Sequence, residues 1–372
     1  MFFNTISRES IKKELQDNLD YLSTISVEEY TLYRKWIDLN IQKWSDRDKV
    51  TIGDIKSNIW KPLSVNDYMD IKPSIVYVES KQDQMIWKIL RNFTHSGTWK
   101  QSPGRLLKFY VIDDVTKKYL GIMSFGSDFI SIGGRDEAIG WNIEHKLKSG
   151  MLNHTMMAST ISPTQPLGYN FLGGKLIALL CASNTVEDVF NKKYKEKLAG
   201  ITTTSLYGGY SQYTNLDNWK KCKSSNGMVP LEPTEDIYVK ARDWLKTECS
   251  DMYNKIDKPN NTSGIQSHTK SKALSLIYKE LDIKTYQNNA SRGVYWCPLY
   301  KNTNEFLRME HKELVDRKFD NTVECLTNIW KEKYASKRVK QNKKYVDILS
   351  YDDIIGVEWC RVKEKYLKDV GR

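Results

Sequence analysis

Two apolar runs, LLKFYVID and YLGIMSFGS, flank the polar turn Asp113–Lys118 and carry the alternation of half-buried strands. The sequence therefore predicts an antiparallel β-hairpin over 105–125. RDEAIGWNIEHKL follows, and MMASTIS then reads as a further strand near 154–162. TQPLGYNFLGGKLIALLCAS is a glycine-studded loop running into an apolar helix, a polar helix extends through KKYKEKL, and LAGITTTSLYG reads as a strand near 198–207. Upstream, SIVYVES reads as a strand and DQMIWKILRNF as an amphipathic helix. This order constrains the chain to an α+β fold, a mixed β-sheet flanked by helices.

Helical texture brackets that core. Within residues 8–46, Tyr30, Tyr33, Trp36, Ile37 and Ile41 recur at helical spacing, a stripe suited to a core or a partner groove. Pro62 and Pro73 then interrupt the chain. Residues 233–290 read as lysine-rich helices, SRGVYWCPLY as a short strand-like insert, and 305–345 as helix ending in the run KEKYASKRVKQNKKY. The reading divides the chain into an N-terminal helical segment (1–75), an α+β core (76–232) and a basic, mainly helical C-terminal region (233–372).

The formal net charge is +11, which favours polyanionic partners such as nucleic acid, because neutralised phosphates release condensed counterions. Six widely spaced cysteines include no CxxC pair, fitting a reducing compartment, and the histidines stand at no metal-ligand spacing, so no metal is expected. No apolar run approaches the roughly 20 residues that cross a bilayer. The opening MFFNTISRES lacks the pattern of a secretory signal, so a cytoplasmic location in a bacterial host is expected, without a membrane partner.

Three local motifs carry candidate chemistry. In the glycine-studded loop, Gln165, Gly168, Asn170, Gly173, Gly174 and Lys175 can bring backbone N–H groups and a cation against phosphate oxygens; a plain turn before a helix is the structural alternative. Arg135, Asp136 and Glu137 open the string RDEAIGW, in which two carboxylates and an arginine suit activation of an amine nucleophile or the anchoring of a turn. Toward the C-terminus, Lys337, Arg338, Lys340, Lys343 and Lys344 form a charge run partly gathered on one helical face. Arg292, Trp296 and Arg308 add the arginine–aromatic mix that stacks on exposed bases, although such aromatics also serve as core.

The element order and the loop resemble the acyl-CoA N-acyltransferase (GNAT) fold, whose loop pattern is Gln/Arg-x-x-Gly-x-Gly/Ala. Gln165 and Gly168 match, and Asn170 departs from it. The resemblance implies an acyl-CoA-like donor held by its pyrophosphate. It also implies a tyrosine, Tyr210 or Tyr213, that protonates the departing thiolate, with backbone N–H groups of Met156–Ser162 holding the oxyanion. The DNA-modifying phage protein Mom shares that fold, which extends the implication to acyl transfer onto a base.

Four strings in order, LGIMSFGSD with RDEAIGW, GGKLIALLCAS, KYKEKLAGITTTSLYGGYSQY and SRGVYWCPLYKNTNEFL, resemble the DruA family over about residues 85–335. That family is named for the Druantia anti-phage system and also occurs in mobile elements. The resemblance implies association with DNA, phage conflict or transposition, with other defence-system or phage proteins as partners. Three functions follow from these readings. They are acyl or aminoacyl transfer to nucleic acid or a small amine, a non-catalytic nucleic-acid-binding subunit, and a virion or host-interaction protein.

Overall fold

A computed structural model describes residues 7–41, 46–94, 104–164, 167, 173–205, 211–224, 229–257, 267–288, 292–341 and 354–369. The chain opens with helices α1 (Arg8–Thr24), α2 (Val27–Ile41), α3 (Asp46–Ser57) and the short α4 (Asp67–Asp70). Ser7 caps α1 by accepting from the Ser10 N–H, and Ile11, Leu15, Leu19 and Leu22 bury one face of it. Strand β1 (Pro73–Tyr77) leads to α5 (Lys81–Leu90), which starts at a capping box of Ser80 and Asp83.

The hairpin foreseen over 105–125 is present as β2 (Leu106–Asp113) and β3 (Tyr119–Ser127). Asp113 fixes its turn by accepting from the Thr116 N–H and hydroxyl. Helix α6 (Gly133–Ile139) follows, then β4 (Thr155–Pro163), α7 (Gly173–Leu180), α8 (Asn184–Tyr194) and β5 (Gly200–Ser205). The remainder comprises β6 (Lys220–Lys221), β7 (Val229–Pro230), α9 (Glu235–Glu248), α10 (Ser250–Asp257), α11 (Ser267–Glu280), β8 (Gln287–Asn288), β9 (Gly293–Pro298) and α12 (Thr303–Leu307). Helices α13 (Val323–Trp330), α14 (Ser336–Gln341) and α15 (Trp359–Asp369) complete it.

Among the described residues, seven strands form one mixed sheet in the order β1-β2-β3-β4-β5-β9-β6, antiparallel throughout except for the parallel pair β4–β5. The strand-like run at SRGVYWCPLY is thus an interior strand, β9, hydrogen-bonded on both edges. Phe109, Met123, Phe125, Ala158 and Ile201 face a core shared with α7, α8 and α13. Tyr110 and Ile122, alternating with them, face α3 and α5 on the other side. Beyond the sheet, α1, α2, α9 and α11 bury a separate cluster around Leu15, Ile37, Ala241 and Ile277.

The helix expected through 305–345 is interrupted. After α12 the chain runs irregularly to Thr322, which caps α13 by accepting from the Cys325 N–H. Buried Glu187 on α8 accounts for the break. It accepts hydrogen bonds from the Tyr300 hydroxyl (2.5 Å), Arg317 and Asn321 (3.2 Å), drawing 300–321 across α8. A buried carboxylate needs such partners, and a continuous helix through 305–345 would not place them there.

Candidate functional site

Strands β4 and β5 pair from Thr155↔Gly200 to Ala158↔Thr203 and no further, so they part toward their C-terminal ends. β4 also bulges against β3: Phe125 pairs with Ala158 and Ser124 with Thr160, leaving Ser159 as the extra residue. Bulges that re-aim side chains concentrate beside functional sites, and ligands of α/β sheets bind outside the carboxyl ends of strands.

On the α7 side the parting is filled by protein. Gln212 Nε2 donates to the Ile161 carbonyl of β4 at 2.9 Å and to the Tyr213 hydroxyl at 3.0 Å. Tyr213 is buried against Trp219 and Tyr295, with ring centroids 5.2 and 4.9 Å away, and burial pushes its pKa up to about 12. The hydroxyl of this candidate general acid therefore keeps its proton and lies in the core. Gly173 and Gly174 make close approaches to the protein itself. A Cβ on Gly173 would lie 2.4 Å from the Leu167 carbonyl oxygen, and one on Gly174 would lie 2.4 Å from Gln212 Oε1. Lys175 Nζ donates to the Gln212 carbonyl at 3.2 Å and to that of Thr214, and burial lowers its pKa. Gln165, Gly168, Asn170 and Tyr210 lie outside the described residues.

On the opposite face the floor is rich in hydroxyls. Ser124 and Thr160 are cross-strand partners, as are Ile122 and Ser162, so both pairs share this face. Ser124 Oγ lies 2.9 Å from the exposed Ser159 Oγ, and Lys108 on β2 pairs with Ser124 from the other side. Sequence periodicity did not single these residues out, because a bulge shifts the two-residue alternation by one.

A buried ionic cluster closes the α6 side. Arg135 is 0 % exposed and donates to Asp136 Oδ1 at 2.6 and 2.9 Å and to the Phe129 carbonyl at 2.9 Å. Its Nη1 also stands 2.7 Å from Asp128 Oδ1, a charge contact without hydrogen-bond geometry. Asp128 accepts from the Thr202 hydroxyl at 2.8 Å, and Lys146 Nζ donates to Asp136 Oδ2 at 2.6 Å. Gly140 ends α6 with φ +78°, and Trp141 Nε1 donates to the Leu307 carbonyl. Arg135 and Asp136 therefore anchor a turn, whereas Glu137 points outward and pairs with Lys223 at 2.5 Å. Asp128, Lys146 and Thr202 were missed, lying 7, 11 and 67 positions from Arg135 with no spacing signal.

The nucleic-acid candidates divide. Trp296 is fully buried, its Nε1 donating to Asn304 Oδ1 at 3.2 Å, and has no face for a base; this corrects its expected role. Arg308 is held by Glu310 at 2.7 Å and by the Ile139 carbonyl at 2.6 Å, which ties it to the α6 turn. Arg292 is half-buried at the start of β9, and its Nε meets no hydrogen-bond partner. Lys337, Arg338 and Lys340 are exposed on α14 and form no ion pair with any described residue, while Lys343 and Lys344 lie outside those residues. A π-helical turn, Lys331–Ala335, closes through the Ser336 N–H to the Lys331 carbonyl and offsets α14 from α13.

Among the described residues no helix is long and apolar enough to cross a membrane, and no group of three or more His, Cys, Asp or Glu converges as metal ligands. Fold and site define an α+β protein built on a mixed sheet with one parallel pair, a hydroxyl-lined face and a buried ionic turn. The family model described as Druantia protein DruA matches residues 40–309, well over half of the sequence, and the chain belongs to the DruA family. The Druantia protein DruA of Escherichia coli (strain UMEA 4076-1) is 31% identical over 161 residues, 38% of this chain and 39% of that relative. The matched segment thus spans well under half the length of that relative. No solved structure matches.

Proposed function

We propose that this chain is a nucleic-acid-binding component of an anti-phage defence system. Family membership supports the defence setting. The observation that carries the binding is the exposed set Lys337, Arg338 and Lys340, which forms no ion pair with any described residue, on a chain of net charge +11. Exposed cations gain little from surface ion pairs within the fold, whereas each phosphate they neutralise releases counterions. Binding to duplex and single strands, measured across a salt series, tests the proposal.

One observation favours acyl transfer as a second reading. An antiparallel hairpin, a third antiparallel strand and a parallel partner that parts from it, with a glycine-bearing segment leading into α7, is the arrangement expected of a GNAT-like core. The buried Tyr213 and the filled parting weigh against it. Calorimetric titration with acetyl-CoA separates the two: donor binding supports transfer, and its absence leaves the binding component.

A further inference from the structure

An arginine keeps its charge in a protein, so a guanidinium drawn out of water calls for an anion or for acceptors that satisfy its donors. Arg292 is half-buried, and its Nε is sealed from solvent without a hydrogen-bond partner. Burial lowers its pKa, and no carboxylate among the described residues acts on it. The acids of the α6 turn are engaged elsewhere: Asp128 with Arg135 and the Thr202 hydroxyl, Asp136 with Arg135 and Lys146, and Glu137 with Lys223.

The strand register fixes where this cation stands. Along β9, Val294 and Trp296 pack into the cluster of Ile139, Trp141 and Met157, while Tyr295 and Cys297 face the α7 side. Arg292 precedes Val294 by two residues and so takes its side, the hydroxyl face of the sheet. Val294 pairs with Thr204 of β5, which puts the half-buried Thr204 beside Arg292 on that face. The β4–β5 pairing ends at Ala158↔Thr203, so Ser159 and Thr204 would be the next pair and stand on the two banks of the parting. Ser159 is exposed, and its Oγ lies 2.9 Å from that of Ser124. Gln212 fills the parting on the α7 side. On the hydroxyl face each bank carries a hydroxyl, with an arginine one strand beyond.

We propose that this open end of the parallel pair binds a phosphate group, with the Arg292 fork on two of its oxygens and the Ser159 and Thr204 hydroxyls donating to the others. Ligands of sheets with parallel strands bind at that end, and an arginine fork matches two phosphate oxygens where a lysine offers a point charge. Val339 of α14 packs into the α7-side core, so the site lies across the sheet from the cations of that helix. Only the source of the phosphate, a nucleic-acid strand, rests on the function proposed above. A free nucleotide presents the same group, and the experiment separates the two sources.

The full chain is titrated by calorimetry with inorganic pyrophosphate and with a dT12 oligonucleotide. Four proteins are compared: wild type, Arg292→Gln, Ser159→Ala, and the triple variant Lys337→Gln, Arg338→Gln, Lys340→Gln. Pyrophosphate binding is expected in wild type and in the triple variant. It should weaken about tenfold or more in Arg292→Gln and about fivefold or more in Ser159→Ala. Circular dichroism checks each fold, and Ser159→Ala, a change at an exposed position, decides the matter if Arg292→Gln does not fold. Competition between dT12 and pyrophosphate assigns the phosphate to a strand, and independent binding assigns it to a small ligand. Absence of pyrophosphate binding to wild type, or unchanged binding by either folded variant, overturns the site. In that event dT12 binding lost in the triple variant still upholds the nucleic-acid function, whereas pyrophosphate binding without any dT12 binding ends that function and keeps the site.

Discussion

Arg135 and Asp136 are sequence neighbours, yet Nη2 of one donates to Oδ1 of the other at 2.6 Å, both drawn beneath the helix that carries them. Lys146 and Asp128 complete a set whose charges are almost wholly hidden from water. The RDxxIGW string is thereby a folding device. Breaking a buried ion pair from one side leaves an uncompensated charge and costs about 3–5 kcal/mol. Arg135→Met should show a loss of that order in urea denaturation, whereas Glu137→Gln, at the surface, should stay within about 0.5 kcal/mol of wild type. Equal effects of the two changes would contradict the assignment.

Tyr213→Phe removes a hydroxyl that accepts from Gln212 inside the core. The ring packing survives, so the stability loss should be about 1 kcal/mol, and nucleic-acid affinity should be unchanged. Gly173→Ala should cost more, about 1–3 kcal/mol, because its Cβ would meet the Leu167 carbonyl 2.4 Å away. Thermal melts read both effects, and a Gly173→Ala protein as stable as wild type would show that the approach is looser than described.

The contrast between these positions shows what the sequence discloses. The hairpin at 106–127, β4 and β5 follow from alternation and a polar turn, and these signals survive folding because they are local. The break after α12 is not local: Glu187 lies 130 positions from Arg317, and only the folded chain brings them together. Trp296 and Tyr213 look alike in sequence whether they serve a base, a thiolate or a core, and burial alone distinguishes these uses. A signal for Lys35 was present but unused. It stands three residues after Leu32 and four before Leu39, on a face that helical spacing marks as buried.

Stability should depend on pH through Lys35. Burial and the nearby Arg91 hold its pKa down to about 7, against 10.5 for an ordinary lysine. Between these values the unfolded chain binds a proton that the folded chain does not, so stability rises as pH increases above about 7. Burial raises the Cys181 and Cys297 thiols, which oppose the trend once unfolded thiols ionise, so the clean window is about pH 7–8.5. Urea midpoints across that window should climb more steeply for wild type than for Lys35→Met. Parallel pH profiles would show that Lys35 titrates as an exposed lysine does.

If the exposed cations of α14 bind nucleic acid, affinity must depend on salt. Wild-type binding to single-stranded and duplex DNA should weaken linearly in log K against log salt, by about 0.7 or 0.9 respectively per phosphate neutralised. Lys337→Gln, Arg338→Gln and Lys340→Gln together should reduce that slope by about 2–3 while leaving the thermal midpoint in place. An affinity that does not change with salt, or a slope the triple variant leaves intact, would contradict the account.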